Sequence, residues 1–254
     1  MLEITKSKNA LNYIFATLLT GVYDVNRNEI LNINDFGIIQ KWYDSIVKLQ
    51  LNAIIFHNTF SKEITERYSN EYVQFIEIQY DKKLKPNVFR YFIYQDYISK
   101  HIKKLNNLFV TDISDVEVIN NPFESNVFLE NSDYLFCGDE LEILDNDWMR
   151  NHSGHLRNLI QEFSTYETLN QHETLLNCGI IGGNITVMKL LFEKITALHE
   201  TYSYTNTTDY TLDMGVFNFV ARTDFANKII HGEPVNTCFK KYESQRTDCW
   251  FRHK

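Results

Sequence analysis

What most limits the fold of this chain is an alternation through its first half. Short, nearly unbroken apolar blocks take turns with amphipathic ones. Residues 11–19 are apolar, contain Phe, Ile and Thr, and run into Thr20-Gly21, as a buried strand does when it meets a turn. Asn34-Asp35 offers an N-cap to a stretch with Ile38, Ile39, Trp42, Ile46 and Leu49 at helical spacing. Residues 52–57 read as a second buried strand, Ser61 opens a short helix, and residues 72–80 alternate like a third strand. A helix over 86–104 follows, built on Phe89, Phe92, Ile93 and Tyr97. After it comes a strand over 107–118 that begins apolar and turns acidic. Repetition of this kind predicts an α/β fold with an open, largely parallel sheet, whose ligands sit at the carboxyl ends of the strands. Thr20-Gly21, His57-Asn58 and the segment 111–115 all occupy such ends.

The second half is less regular. Residues 133–138 and 175–179 predict short strands, 186–199 a helix, 213–221 another helix and 229–231 a last strand. A length of 254 residues with 44% hydrophobic content supplies a sizeable core, and 9 Gly and 3 Pro leave no material for a flexible linker. The expectation is a single domain over 1–254 made of two abutting halves, about 1–118 and 119–254. A formal charge of −8 with no basic run argues against a nucleic-acid partner. No apolar run is long enough to span a bilayer. Cys137, Cys178, Cys238 and Cys249 lack metal or disulfide spacing, which predicts reduced thiols and a cytoplasmic protein. The last residues, 251–254, read as a strand, as though the chain were cut from something longer.

Four constellations could carry chemistry. Asp112 and Asp115 follow the end of a buried strand, where paired carboxylates repel unless a cation joins them. Hard oxygen ligands suit Mg²⁺ or Mn²⁺; the alternative is a solvated turn. Asn177, Gly179, Gly182 and Gly183 read as a glycine-rich loop between strand and helix, open either to close ligand approach or to an ordinary turn. Asp209 and Asp213 precede an apolar helix, where a carboxylate could act as a general base, grip sugar hydroxyls or complement the helix dipole. His231-Gly232, with Lys240 and Lys241 beyond, suits a metal or a phosphate, or else a structural histidine. His152 and His155 lack a third ligand and predict the start of a surface helix.

Taken in order, these pieces resemble the GT-A glycosyltransferases. The segment from Thr111 through Asp112, Asp115 and Val116 to Pro122-Phe123 is similar to a "TDxxDVxFxxxPF" stretch of such enzymes. Asn177, Gly179 and Gly182-Gly183 are similar to their "NxGxxGG" motif, and Asp213 to Asn218 to a "DQxxFN" helix, with Met214 in place of Gln. The acidic spacing is Asp-x-x-Asp rather than Asp-x-Asp. The resemblance implies a Rossmann-like sheet and metal-assisted transfer of a sugar from a nucleotide-diphosphate donor to a carbohydrate or other hydroxyl acceptor. It implies base and ribose over Thr17, Thr20, Gly21 and Tyr23, with Arg90 nearby. Asp112 would serve ribose or metal, Asp115 and His231 the metal, and Asn177, Gly179 and Gly182 the donor sugar. Asp213 would be the base, with Asp139 or Glu140 in reserve. The alternatives are a sugar-nucleotide nucleotidyltransferase and a non-catalytic carbohydrate- or nucleotide-binding protein.

Overall fold

The computed structural model describes residues 10–24, 29–202, 212–237, 243 and 245–253. Asp209, Cys238, Lys240 and Lys241, named above, lie outside them. Strand β1 (Leu11–Leu18) leads through the small hairpin of β2 (Tyr23–Asp24) and β3 (Glu29–Ile30) to a 3-10 turn capped by Asp35, whose carboxylate accepts from the Gly37 amide. Helix α1 (Gln40–Lys48), β4 (Ala53–His57), α2 (Lys62–Tyr68), β5 (Val73–Glu77), α3 (Pro86–His101) and β6 (Leu105–Thr111) complete the alternation. Ser61 caps α2 through the Ile64 amide, and Pro86 opens α3 where a missing amide proton costs nothing. The acidic strand expected over 107–118 is two strands. A turn at 112–115 separates β6 from β7 (Val116–Val118), because four polar or acidic-flanked positions leave the sheet.

Helix α4 (Asn126–Glu130), β8 (Leu135–Ile143), α5 (Asp147–His152), α6 (Leu156–Leu159) and α7 (Phe163–Asn170) follow. Then come β9 (Thr174–Asn184), α8 (Ile185–Tyr202), α9 (Asp213–Asp224), β10 (Ile229–His231) and β11 (Phe251–His253). Two expectations change here. Of the His152–His155 pair expected at a helix start, His152 ends α5 and His155 is the N-cap residue of α6. Gly182 and Gly183 lie inside β9, not in a loop. Their glycine character serves packing: a Cβ on Gly182 would come within 2.2 Å of the Phe109 ring, and one on Gly183 within 3.0 Å of the Tyr134 carbonyl.

Seven strands form one sheet in the order β10-β8-β9-β6-β1-β4-β5, with β9 the single antiparallel member. Strand order reverses at β1, which has β4 on one side and β6 on the other. Their carboxyl ends therefore flank the crevice where an open α/β sheet takes its ligands. Alternation along β1 sends Phe15 to the face covered by α3, α8 and α9, and Ile14, Ala16 and Leu18 to the face covered by α1. The second face also holds Val116, Val118, Trp250 and Phe251 of the small β7–β11 pair. Among the described residues no helix is long and apolar enough to cross a membrane. The described cysteines, Cys137, Cys178 and Cys249, are buried free thiols.

Candidate active site

The turn at 112–115 is fixed from below by α1. The buried Trp42 indole donates to the Thr111 hydroxyl at 2.7 Å, just before the first acid. Ser45 accepts from the Val118 amide at 3.1 Å, just after the second. Antiparallel pairing then sets β11 beside β7, with His253 opposite Val116. An ion pair of Arg252 with Glu117 at 2.9 Å locks that register. The result is a cluster of Asp112, Asp115 and His253, whose ligand atoms lie within 4.8 Å of one another. His253 Nε2 stands 3.9 Å from Oδ2 of each carboxylate. That separation is less than twice a metal–ligand bond of about 2.1 Å, so one ion can reach the imidazole and either acid. Two carboxylates with one imidazole form a donor set that fits Mn²⁺ and accommodates Mg²⁺ less readily.

A cavity of about 670 Å³ opens over this cluster. Thr17, Arg90, Asp112, Asp115, Asn177, Gly179 and Asp213 all line it, so residues expected from five separate stretches converge. Gly179 earns its place sterically: a Cβ would come 2.6 Å from Asp112 Oδ2 and 2.8 Å from the His253 ring. Asp112 is also tied to this strand, its amide donating to the Gly179 carbonyl at 2.7 Å.

Arg90 joins the two acidic elements. Its guanidinium pairs with Asp112, stands 3.6 Å from Asp213 Oδ2, and donates to the Cys178 carbonyl at 3.2 Å. Burial works against the Arg90 cation, but the surrounding phenol, carboxylates and thiol hold its pKa well above the usual value. The Cys178 thiol is pushed far up by burial and then by Asp213, so it remains protonated and donates towards Asp213 at 3.6 Å. Asp213 does not cap its helix. Leu212 occupies the N-cap in a left-handed conformation (φ 61°) without a side-chain bond, and Asp213 begins the first turn with its side chain only 5% exposed. Glu140 accepts from the Asn177 amide, and burial raises its pKa above the usual carboxylate range.

Several expected residues lie elsewhere. Thr20 is buried and engaged with Asn58 and Thr59. Gly21 takes positive φ in a turn bonded to Leu31. Tyr23 is exposed on the β2–β3 hairpin. None of these three lines the cavity, and Gly182 sits under Phe109. His231, expected at the metal, stands apart from the Asp112–Asp115–His253 cluster. His231 Nδ1 is 3.2 Å from Asp139 Oδ2 at the far edge of the sheet, and neither residue lines the cavity. Unforeseen lining residues include His253, Glu142 and Trp148. The reading of 251–254 as a strand was the available signal for His253, but its partner strand lies some 135 positions away.

No family model matches the sequence, and no curated protein matches it. Among solved structures it is similar in shape to the galactosyltransferase LgtC in complex with donor and acceptor sugar analogues. The TM-score is 0.51 at 11% identity, covering 96% of this chain and 86% of that one. With its mostly parallel seven-stranded sheet flanked by helices, the chain therefore has a GT-A-like Rossmann fold.

Proposed function

We propose that the chain is a glycosyltransferase that moves a sugar from a nucleotide-diphosphate donor to a hydroxyl of a glycan or similar acceptor, both halves serving one site. The observation that carries this reading is the meeting of Asp112, Asp115 and His253 with Arg90 and Asp213 in one cavity at the strand-order reversal. Asp112, Asp115 and His253 would hold a divalent ion, Mn²⁺ before Mg²⁺, which when bound would offset charge on the departing nucleoside diphosphate. Arg90, fixed by two carboxylates, would orient the donor beside that centre. Thr17, whose hydroxyl donates to Tyr94 at 2.9 Å, would border the nucleotide. Asp213, rigid at the first turn of α9, would meet hydroxyls in the cavity, either as base for the acceptor or as a grip on the donor sugar.

A thermal-shift screen of nucleotide sugars with and without Mn²⁺ tests the proposal. Stabilisation by at least one donor, dependent on Mn²⁺, is expected in the wild type and in His231→Ala. It is expected to be lost in Asp115→Asn and His253→Ala. Asp213→Asn is expected to keep that stabilisation while transfer collapses. Turnover by the wild type in excess EDTA, or no metal-dependent stabilisation by any donor, would sink the reading.

A further inference from the structure

Trp148 is a large apolar side chain left in the open on the cavity wall. It is 43% exposed, and of the large hydrophobics exposed among the described residues it is the one that lines this cavity. Its position is built, not incidental. Asn146 caps α5 through the Met149 amide at 2.9 Å, Met149 anchors the helix in the core, and Arg150 ties the segment to Asp145 and Asp147. The imidazole of His152 stacks on the indole with centroids 3.7 Å apart and planes 22° from parallel. That covers one face of the indole, and Trp148 remains part of the cavity lining.

The floor of the same cavity is strongly acidic. Its described lining contains five carboxylates, those of Asp112, Asp115, Asp213, Glu140 and Glu142, against the Arg90 guanidinium and the His253 imidazole, so acids outnumber cations even with a divalent ion held at Asp112 and Asp115. Glu140 and Glu142, both on β8, line the same cavity as Trp148. A pyranose ring has an apolar C–H face and a rim of hydroxyls. Such a ring matches an indole plate bordered by carboxylates, whereas an added carboxylate, sulfate or phosphate would meet like charge.

We infer that Trp148 is the platform of the acceptor subsite and that the acceptor it takes is an uncharged saccharide. The inference rests on the sugar-transfer reading above and adds the acceptor's chemical class. The indole stacks on the sugar's apolar face at the cavity mouth, leaving the buried floor to the donor.

The test uses the full chain with Mn²⁺ and a panel of nucleoside diphosphates, titrated with lactose, diacetylchitobiose and mannobiose, and with 3′-sialyllactose as the anionic counterpart. Trp42 and Trp250 are buried, so a change in tryptophan emission reports on Trp148. Calorimetry gives the affinities independently of the fluorophore. At least one neutral disaccharide is expected to shift the emission. Trp148→Ala is expected to weaken its binding about tenfold, Trp148→Phe to restore most of it, and a sialylated ligand to bind about tenfold more weakly. With nucleoside diphosphate bound, the inference is overturned if no neutral saccharide perturbs Trp148, if Trp148→Ala binds as well as wild type, or if the sialylated ligand binds equally. Absence of any Mn²⁺-dependent nucleoside diphosphate binding would instead remove the sugar-transfer reading and this inference with it.

Discussion

On the face that carries α1, the turn at 112–115 is fixed by neutral hydrogen bonds, Trp42 to Thr111 and the Val118 amide to Ser45. On the face of α3 and α9 it is held by charge, through Arg90 between Asp112 and Asp213, with Cys178, Tyr91 and His199 packed behind. The two chemistries divide the labour. Neutral buried bonds set a position and do not respond to pH or to a bound anion. A buried ion triad sets a position only while each member keeps its charge, since removing one leaves the others uncompensated. The cavity opens on the charged face, with Arg90, Asp112 and Asp213 in its wall, while Trp42 and Thr111 are buried away from it. A ligand that changes the charge balance is thus felt first by Arg90, Asp112 and Asp213 and not by the neutral bonds beneath the turn.

The sharpest way to break this contrast is Arg90→Met. It removes the cation that stands 3.6 Å from the buried Asp213 carboxylate, and a loss of about 3–5 kcal/mol in urea unfolding is expected. Adding Asp213→Asn in the same chain is expected to recover part of that loss, because the stranded charge is gone. A cost near 1 kcal/mol for Arg90→Met, or no recovery in the double variant, would mean that the charged face grips no harder than the neutral one.

The same division governs what could be read from the sequence. The neutral face is made of local patterns. The helical spacing of Trp42 and Ile46 and the apolar runs of β1, β4 and β6 are short-range periodicities, and they place the ends of β1 and β4 to within a residue but not the break between β6 and β7 at 112–115. The glycines of β9 misled because Gly is ambiguous between a turn and a close approach; only the Phe109 ring beside Gly182 decides. His253 was passed over for His231 because its proximity to Asp115 is created by pairing β11 with β7, and no local period encodes a partner that distant. Arg90 was expected near the nucleotide, but its ion pairs with Asp112 and Asp213 join three segments that nothing in their spacing relates. In sequence Asp213 reads as a base or else as a cap, and only the left-handed Leu212 at the N-cap shows that the helix already begins at Asp213.

A second expected effect is a pH dependence that His199 brings to the charged face. Burial lowers the His199 pKa to about 4, with Asp213 pulling it the other way. Its ordinary value is near 6.5, so as pH falls the unfolded chain takes this proton before the folded one. The contribution of neutral His199 is therefore complete above pH 6.5, is lost progressively down to about pH 4, and totals about 3 kcal/mol. Urea unfolding at steps between pH 7 and pH 4 in the wild type and in His199→Gln checks this. The variant is expected to show a shallower slope across that window, and parallel slopes would mean that other groups carry the acid sensitivity.

The smallest effect belongs to Trp42→Phe, which keeps most of the buried ring and removes the indole N–H. The Thr111 hydroxyl, 3% exposed as part of its residue, loses its donor, and a neutral buried hydrogen bond is worth about 1 kcal/mol. For a chain of this size that corresponds to a fall in melting temperature of roughly 2–4 °C. Because neither partner titrates near neutrality, the loss is expected to be the same at pH 7 and pH 5, unlike the His199 term. The bond sits one residue before Asp112, so the variant also asks whether the neutral face matters to the site or only to the fold. If Ser45 and the β7–β11 pair suffice to hold the turn, Mn²⁺-dependent donor stabilisation survives at full size on a slightly less stable protein. Loss of that stabilisation together with the melting shift would instead mean that the Trp42–Thr111 bond sets the placement of Asp112, and that both faces position the site.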